Sequence, residues 1–268
     1  MKKIFLSLIL LTCVSFTIKA QDDGFVSKTW SSKEVPKKIS MCWHEGLPYA
    51  SASLENGGLV AEFVRTVMLE AGFTAKILFI PWSRCREGVR KKQYDMLFAM
   101  WNNVDQHVRD FDFLEATNNE SVALFTLKSS KIKTSDIKKM GKVSLGAHIH
   151  GGYDESILKN KSVDMVFVRN DRQKINMLLA KRIDLFISEP QRVEVILKTF
   201  SEERKSNIIQ LEPLLRKELS SPAILKTNPH KKEIMKRYSA AYNKLCKSGK
   251  LKEIIQKHGF AFKPLACK

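Results

Sequence analysis

The chain has 268 residues and 44% hydrophobic content, which excludes a disordered polypeptide and suffices for one large core or two compact domains. It carries 46 Lys and Arg against 28 Asp and Glu, a formal net charge of +18. The lysines are spread over many amphipathic segments and form no basic stripe interleaved with aromatics, so the charge describes a generally basic surface and argues against dedicated nucleic-acid binding.

Lys2 and Lys3 precede an apolar run from Ile4 to Leu11 that continues loosely to Ile18, and Ala20 stands before Gln21-Asp22-Asp23. A charged start, a short apolar centre and a small-residue exit make residues 1–20 a secretory signal peptide, too short for a membrane span. The mature chain is therefore expected to begin near Gln21, to be exported, and to keep a charge of +15 once Lys2, Lys3 and Lys19 are removed. Lipidation at Cys13 is the competing reading, weakened by Thr12 and by the position of the cysteine inside the apolar run.

Export gives the cysteines meaning, because thiols oxidise outside the cytoplasm. Cys42, Cys85, Cys246 and Cys267 remain, and four cysteines allow three pairings that sequence does not settle. The preferred pairs are Cys42 with Cys85 and Cys246 with Cys267, the second stapling the last helix to the tail; isolated buried thiols are the alternative. The spacings are too long for a zinc site, and neither a metal nor a cofactor is expected.

In chain order, residues 38–43 read as a strand ended by the Gly46-Leu47-Pro48 turn. Gly57-Gly58 opens a helix whose Leu59, Phe63, Val67 and Ala71 share a face, and Gly72 closes it. A strand at 75–80, a helix at 83–92 and a strand at 94–100 follow: the grammar of a mostly parallel sheet covered by helices. After an extended segment at 120–127 the pattern restarts. Ser135-Asp136 caps a helical turn, 142–146 is a strand running into Gly151-Gly152, and 164–168 is another strand. Asn170 or Asp171 caps a helix with Ile175, Leu178 and Leu179 inward, and 183–187 is the next strand. Ile224-Leu225 and helices at 229–247 and 251–257 lack enough strands for a third domain and should pack back onto a lobe already made.

Unusual side chains cluster past the ends of the first three strands: Trp43, His44, Glu45 and Tyr49; then Trp82, Arg84 and Arg86; then Trp101, Asn102, Asn103 and Arg109. In open α/β sheets ligands sit outside the carboxyl ends of strands, so these loops are expected to converge on one cleft.

Gly57 to Phe63, Lys92 to Asp95, Arg109 through Phe111-Asp112-Phe113, Ile175 to Leu179 with Lys181 to Asp184, and Tyr242 to Phe260 recur in the order and spacing of a known family. The chain resembles a periplasmic or extracellular solute-binding protein of the polar amino-acid class, family 3, serving ABC importers. The resemblance implies a type II two-lobed periplasmic-binding-protein α/β fold, with mostly parallel sheets covered by helices and two hinge crossings near Leu124-Phe125 and Leu219-Ser220. It implies a first lobe of residues 21–125 plus 219–268 and a second of 126–218. Carried over by position, Arg109 binds a ligand carboxylate, Glu189 receives an amino group, and Trp82 covers the side chain, with Trp43 and Tyr49 nearby.

This chain departs from the family where small hydroxyl residues are replaced by Ala99, Met100 and Trp101, which leaves Asn102 and Asn103 as candidate hydrogen-bonding replacements. In the second lobe the turn at 147–153 presents backbone N–H groups suited to an oxyanion, with Gly151 and His150 as lining candidates and His148 on the alternate position. The expected partners are a small polar solute bearing a carboxylate and the membrane permease of an ABC importer, with the protein a monomer. A sensory or partner-docking receptor on the same scaffold is the alternative. A lyase or dehydratase using His150 or Glu189 is a further one, opposed by the lack of a nucleophile, base and orienter set.

Overall fold

A computed structural model of the chain describes residues 27–149, 151–153 and 155–260. The leader at 1–20, Cys13, His150 and Cys267 lie outside the described residues.

The first lobe opens with β1 (Lys38–Trp43), α1 (Leu59–Glu70), β2 (Thr74–Phe79), α2 (Trp82–Arg90) and β3 (Met96–Trp101), each within three residues of its predicted bounds. Helix α1 buries Leu59, Val60, Phe63, Val64, Val67 and Met68 on one face. Burying such a side chain fully contributes roughly 1.5–3 kcal/mol. Gly58 at its start has φ 87°, and a Cβ there would stand 2.7 Å from the Tyr49 carbonyl oxygen, so the entry to the helix requires glycine. A short α3 (Asp105–Asp110) and β4 (Phe111–Phe113) follow.

Strand β5 (Asn118–Leu127) leads into the second lobe, made of β6 (Val143–His148), α4 (Glu155–Leu158), β7 (Val163–Val168), α5 (Asp171–Leu179), β8 (Leu185–Ser188), α6 (Pro190–Leu197), α7 (Glu202–Ser206) and β9 (Ile208–Gln210). Asn170 caps α5 by accepting the Gln173 N–H at 2.9 Å, which frees Asp171 for another role. Strand β10 (Arg216–Leu225) returns to the first lobe, and α8 (Lys231–Lys247) and α9 (Lys250–Lys257) pack there with α1, as the lack of further strands required.

The strands form one sheet in the order β2-β1-β3-β10-β5-β8-β6-β7, with β4 on β10 and β9 on β5. β1 lies parallel to β2 and β3, and β6 parallel to β7 and β8, so each lobe has its own parallel set. The antiparallel pair β5 and β10 joins them, with Arg216 opposite Val122 and Glu218 opposite Glu120. This is the expected two-lobed α/β class with two crossings.

Buried side chains divide accordingly. Met41, Phe63, Tyr238 and Leu251 belong to one first-lobe core, and Leu124, Leu145 and Leu185 to a second-lobe core. Val122 through Phe125 pack entirely with the second lobe, so the cores exchange a few residues ahead of Phe125. No break in the sequence marks the point, because β5 is one unbroken strand whose first half pairs with β10 and whose second half pairs with β8 and β9.

Cys42 and Cys85 form the expected disulfide, tying the end of β1 to the first turn of α2. Cys246 is also disulfide-bonded; its expected partner, Cys267, is outside the described residues.

Candidate functional site

The carboxyl ends of the parallel strands in both lobes face each other across a cavity of about 1260 Å³. The first lobe contributes Trp43, His44 and Glu45 after β1, Ile80 and Trp82 after β2, and Met100 and Trp101 at the end of β3. The second contributes His148, Gly151, Gly152 and Tyr153 after β6, Asp171 after β7, and Ser188 and Glu189 at β8. Glu120, Val122, Arg216 and Ser220, alternate residues of β5 and β10, make the floor.

The first-lobe wall is aromatic. Trp43 meets His44 at 4.3 Å between ring centroids, His44 meets Trp82 edge-on at 6.0 Å, and Trp82 meets His107 edge-on at 6.0 Å. His107 comes from α3, where it and Val104 form the buried side of that turn. Its Nδ1 lies 2.9 Å from the Trp101 carbonyl oxygen, while Nε2 has no hydrogen-bond partner. Burial pushes His107 below its ordinary value, and His44 falls to about 3 because burial, then Arg192 and His148, disfavour its charged form.

The second-lobe wall is ionic. Asp171 receives Lys174 Nζ at 2.6 Å, the Ser188 hydroxyl at 2.6 Å and His148 Nε2 at 3.0 Å. Burial pushes the Asp171 carboxyl up, but Lys174 and His148 outweigh it and hold the group well below the usual carboxylate range. Lys174, fully buried, also donates to the Ile187 carbonyl at 2.6 Å. Arg192 grips both oxygens of Glu189, at 3.0 and 3.1 Å. On the floor, Arg216 donates to the Gly152 carbonyl at 2.7 Å, pairs with Glu218 and lies over the Trp101 ring at 5.3 Å.

The lobes touch on both flanks of the cavity. Gly152 lies so close to the first lobe that a Cβ on it would stand 3.2 Å from Val104 and 3.5 Å from His107. Tyr49 donates its hydroxyl to Gln191 Oε1 of α6 at 3.2 Å.

Of the residues singled out in the sequence, Trp43, Trp82, Glu189 and Gly151 line the cavity. Tyr49 is buried behind it and serves the inter-lobe hydrogen bond instead. Arg84, Asn103 and Arg109 are exposed and do not line it. Asn102 turns to the hinge, donating to Ser221 Oγ at 3.2 Å. Arg109, expected to reach the ligand, stands apart from the cavity lining: on α3 the side that buries Val104 also buries His107, and Arg109, two residues on, is exposed. Sequence reasoning missed His107, Glu120, Arg192 and Arg216 as lining residues. The legible signals were the i, i+3 pair Val104 and His107 and the polar alternation Asn118-Glu120 and Arg216-Glu218-Ser220 in strands otherwise apolar.

Residues 44–261 match the model of the bacterial extracellular solute-binding proteins, family 3. No curated protein matches. Among solved structures, a histidine kinase sensor domain with similarity to periplasmic binding proteins superposes with a TM-score of 0.72 at 18% identity, covering 85% of this chain and 98% of the other. An ancestral arginine-binding protein bound to arginine gives 0.68 at 14% identity, covering 84% and 99%. An amino acid ABC transporter substrate-binding protein from Streptococcus pneumoniae bound to L-arginine gives 0.66 at 16% identity, covering 86% and 97%. The chain belongs to family 3 of the bacterial extracellular solute-binding proteins, a family of extracytoplasmic receptors and not of enzymes.

Proposed function

We propose that the chain captures a small polar, amino-acid-like solute between its lobes and presents it to the membrane permease of an ABC importer. The observation that carries this reading is the cavity itself: carboxyl ends of parallel strands from two lobes converge on it, over a floor made by the two strands that cross between them. A ligand there touches both lobes and the hinge at once, so its binding energy is coupled to their closure. Trp43 and Trp82 are the walls against which the solute packs, facing the rigid polar wall around Asp171 and Glu189. The lobes are assigned as residues 21–125 plus 219–268 and residues 126–218, with core packing favouring a crossing slightly ahead of Phe125. Export is assigned to a signal peptide at 1–20.

A thermal-shift screen of amino acids followed by calorimetry tests this. A ligand that binds only the native state raises the midpoint by mass action, and Trp82→Ala should weaken it. A screen of the common amino acids without a single shift would remove the amino-acid reading. The likeness to a kinase sensor domain supports a second reading, sensing without transport; uptake of the identified solute unchanged in a strain lacking this protein would favour it.

A further inference from the structure

Three of the buried acids at the cleft have a cation beside them: Asp171 has Lys174, Glu189 has Arg192 and Glu218 has Arg216. Glu120 differs. It is 1% exposed and lines the cavity floor, yet it is held by two neutral donors, the Trp101 indole N–H at 2.5 Å and the Asn118 amide at 2.8 Å. It makes no ion pair among the described residues. A buried carboxylate held only by neutral donors, with no ion pair of its own, is a site that an arriving cation can complete.

Other atoms of the wall point the same way. The Trp101 carbonyl only accepts, so His107 must carry its hydrogen on Nδ1, and the neutral ring then presents an Nε2 lone pair. That Nε2 has no partner, and His107 is 4% exposed. The Ser220 hydroxyl, also without a partner, lies on the floor opposite Asn118 and Trp101. Trp43 adds an aromatic ring, which attracts cations, while Trp82 and Trp101 already have Arg86 and Arg216 over theirs. Carboxylate, imidazole lone pair, hydroxyl and aromatic faces together suit a ligand group that is positively charged and rich in N–H donors.

We infer that the ligand carries an organic cation beyond the α-ammonium that all amino acids share, a second ammonium or a guanidinium group, received by Glu120 on the hinge floor with His107 as an additional acceptor. Glu189, which position assigns to an amino group, is already bound by both of its oxygens to Arg192, which leaves Glu120 as the cleft acid without an ion pair among the described residues. This rests on the solute-binding reading above and names the chemical class it takes.

Calorimetry of wild type and Glu120→Gln against L-arginine, L-lysine, agmatine, L-glutamine and L-glutamate tests it. The three cations should bind wild type about tenfold or more tighter than glutamine and glutamate. Glu120→Gln, which keeps shape while removing charge, should weaken them about thirtyfold or more, measured on the folded protein. Binding of glutamine or glutamate in preference to the cations, or cation affinity in Glu120→Gln within twofold of wild type, overturns the inference and leaves solute binding standing. Should Glu120→Gln fail to fold, the wild-type preference among the five probes decides. If none of the five binds wild type, the cation site falls, and the amino-acid reading is decided by the full thermal-shift screen.

Discussion

Replacing both Cys42 and Cys85 by alanine should lower the thermal midpoint by about 8 °C. The bridge closes a loop with a sequence separation of 43, and chain entropy for a loop of that size amounts to about 13 cal/mol/K, or ~4 kcal/mol near room temperature. Unfolding entropy of ~2.1 cal/mol/K per residue over ~240 residues converts this into about 8 °C. Both sulfur-bearing residues are fully buried among Val89, Leu97, Met100 and Phe111, so the lost packing acts in the same direction. Scanning calorimetry of the unliganded protein, oxidised wild type against the double variant, measures the difference. The substitution isolates this bridge from that of Cys246, which a reducing agent would not. The bridge also fixes the first turn of α2, which begins at Trp82, to the strand that ends at Trp43, so the variant should bind its ligand less tightly. A midpoint within about 2 °C of wild type would refute the reasoning, since chain entropy alone predicts more.

Arg109→Ala should leave ligand affinity within about twofold, because the side chain is exposed and outside the cavity; a loss of tenfold or more by calorimetry would restore it as a ligand contact. His44, whose folded pKa of about 3 lies below its unfolded value near 6.5, gives stability that is full above pH ~6.5 and lost as pH falls below it, because the unfolded chain takes up the proton first. Urea titrations of wild type and His44→Gln at pH 7 and 5 should therefore show the variant losing about 2 kcal/mol less over that interval, and equal losses would mean that His44 titrates normally in the folded protein.

The ionic wall illustrates why a charged cleft is not by itself a binding site. Asp171, Lys174, His148 and Ser188 satisfy one another at 2.6 to 3.0 Å, and Arg192 and Glu189 do the same beside them. Breaking such a buried pair leaves an uncompensated charge, so this network fixes the carboxyl ends of β6, β7 and β8 relative to one another. The second lobe thereby offers a rigid surface against which the floor and the aromatic wall position a solute.

Periodicity and punctuation in the chain by themselves determined the α/β class, the restart that makes two lobes and the return of the tail to the first. Spacing of three to four apolar residues marks α1, α5 and α8, and short apolar runs between turn residues mark the strands; these signals are local and survive without knowledge of neighbours. Export together with an even cysteine count raised the expectation of disulfides, and the fold decided that Cys42 pairs with Cys85. The identity of the cleft residues was decided by tertiary structure. His107 and Arg109 are both polar and two positions apart, and only the packing of α3 turns one inward and the other to solvent. Likewise a hinge crossing near Leu219-Ser220 was expected, but not that Arg216 and Ser220 line the cleft; they do so because β5 and β3 pair with that strand and make it the cavity floor. The cations beside Asp171, Glu189 and Glu218 lie two or three residues away in the chain, whereas the neutral partners of Glu120 include Trp101, which only the folded sheet brings beside β5.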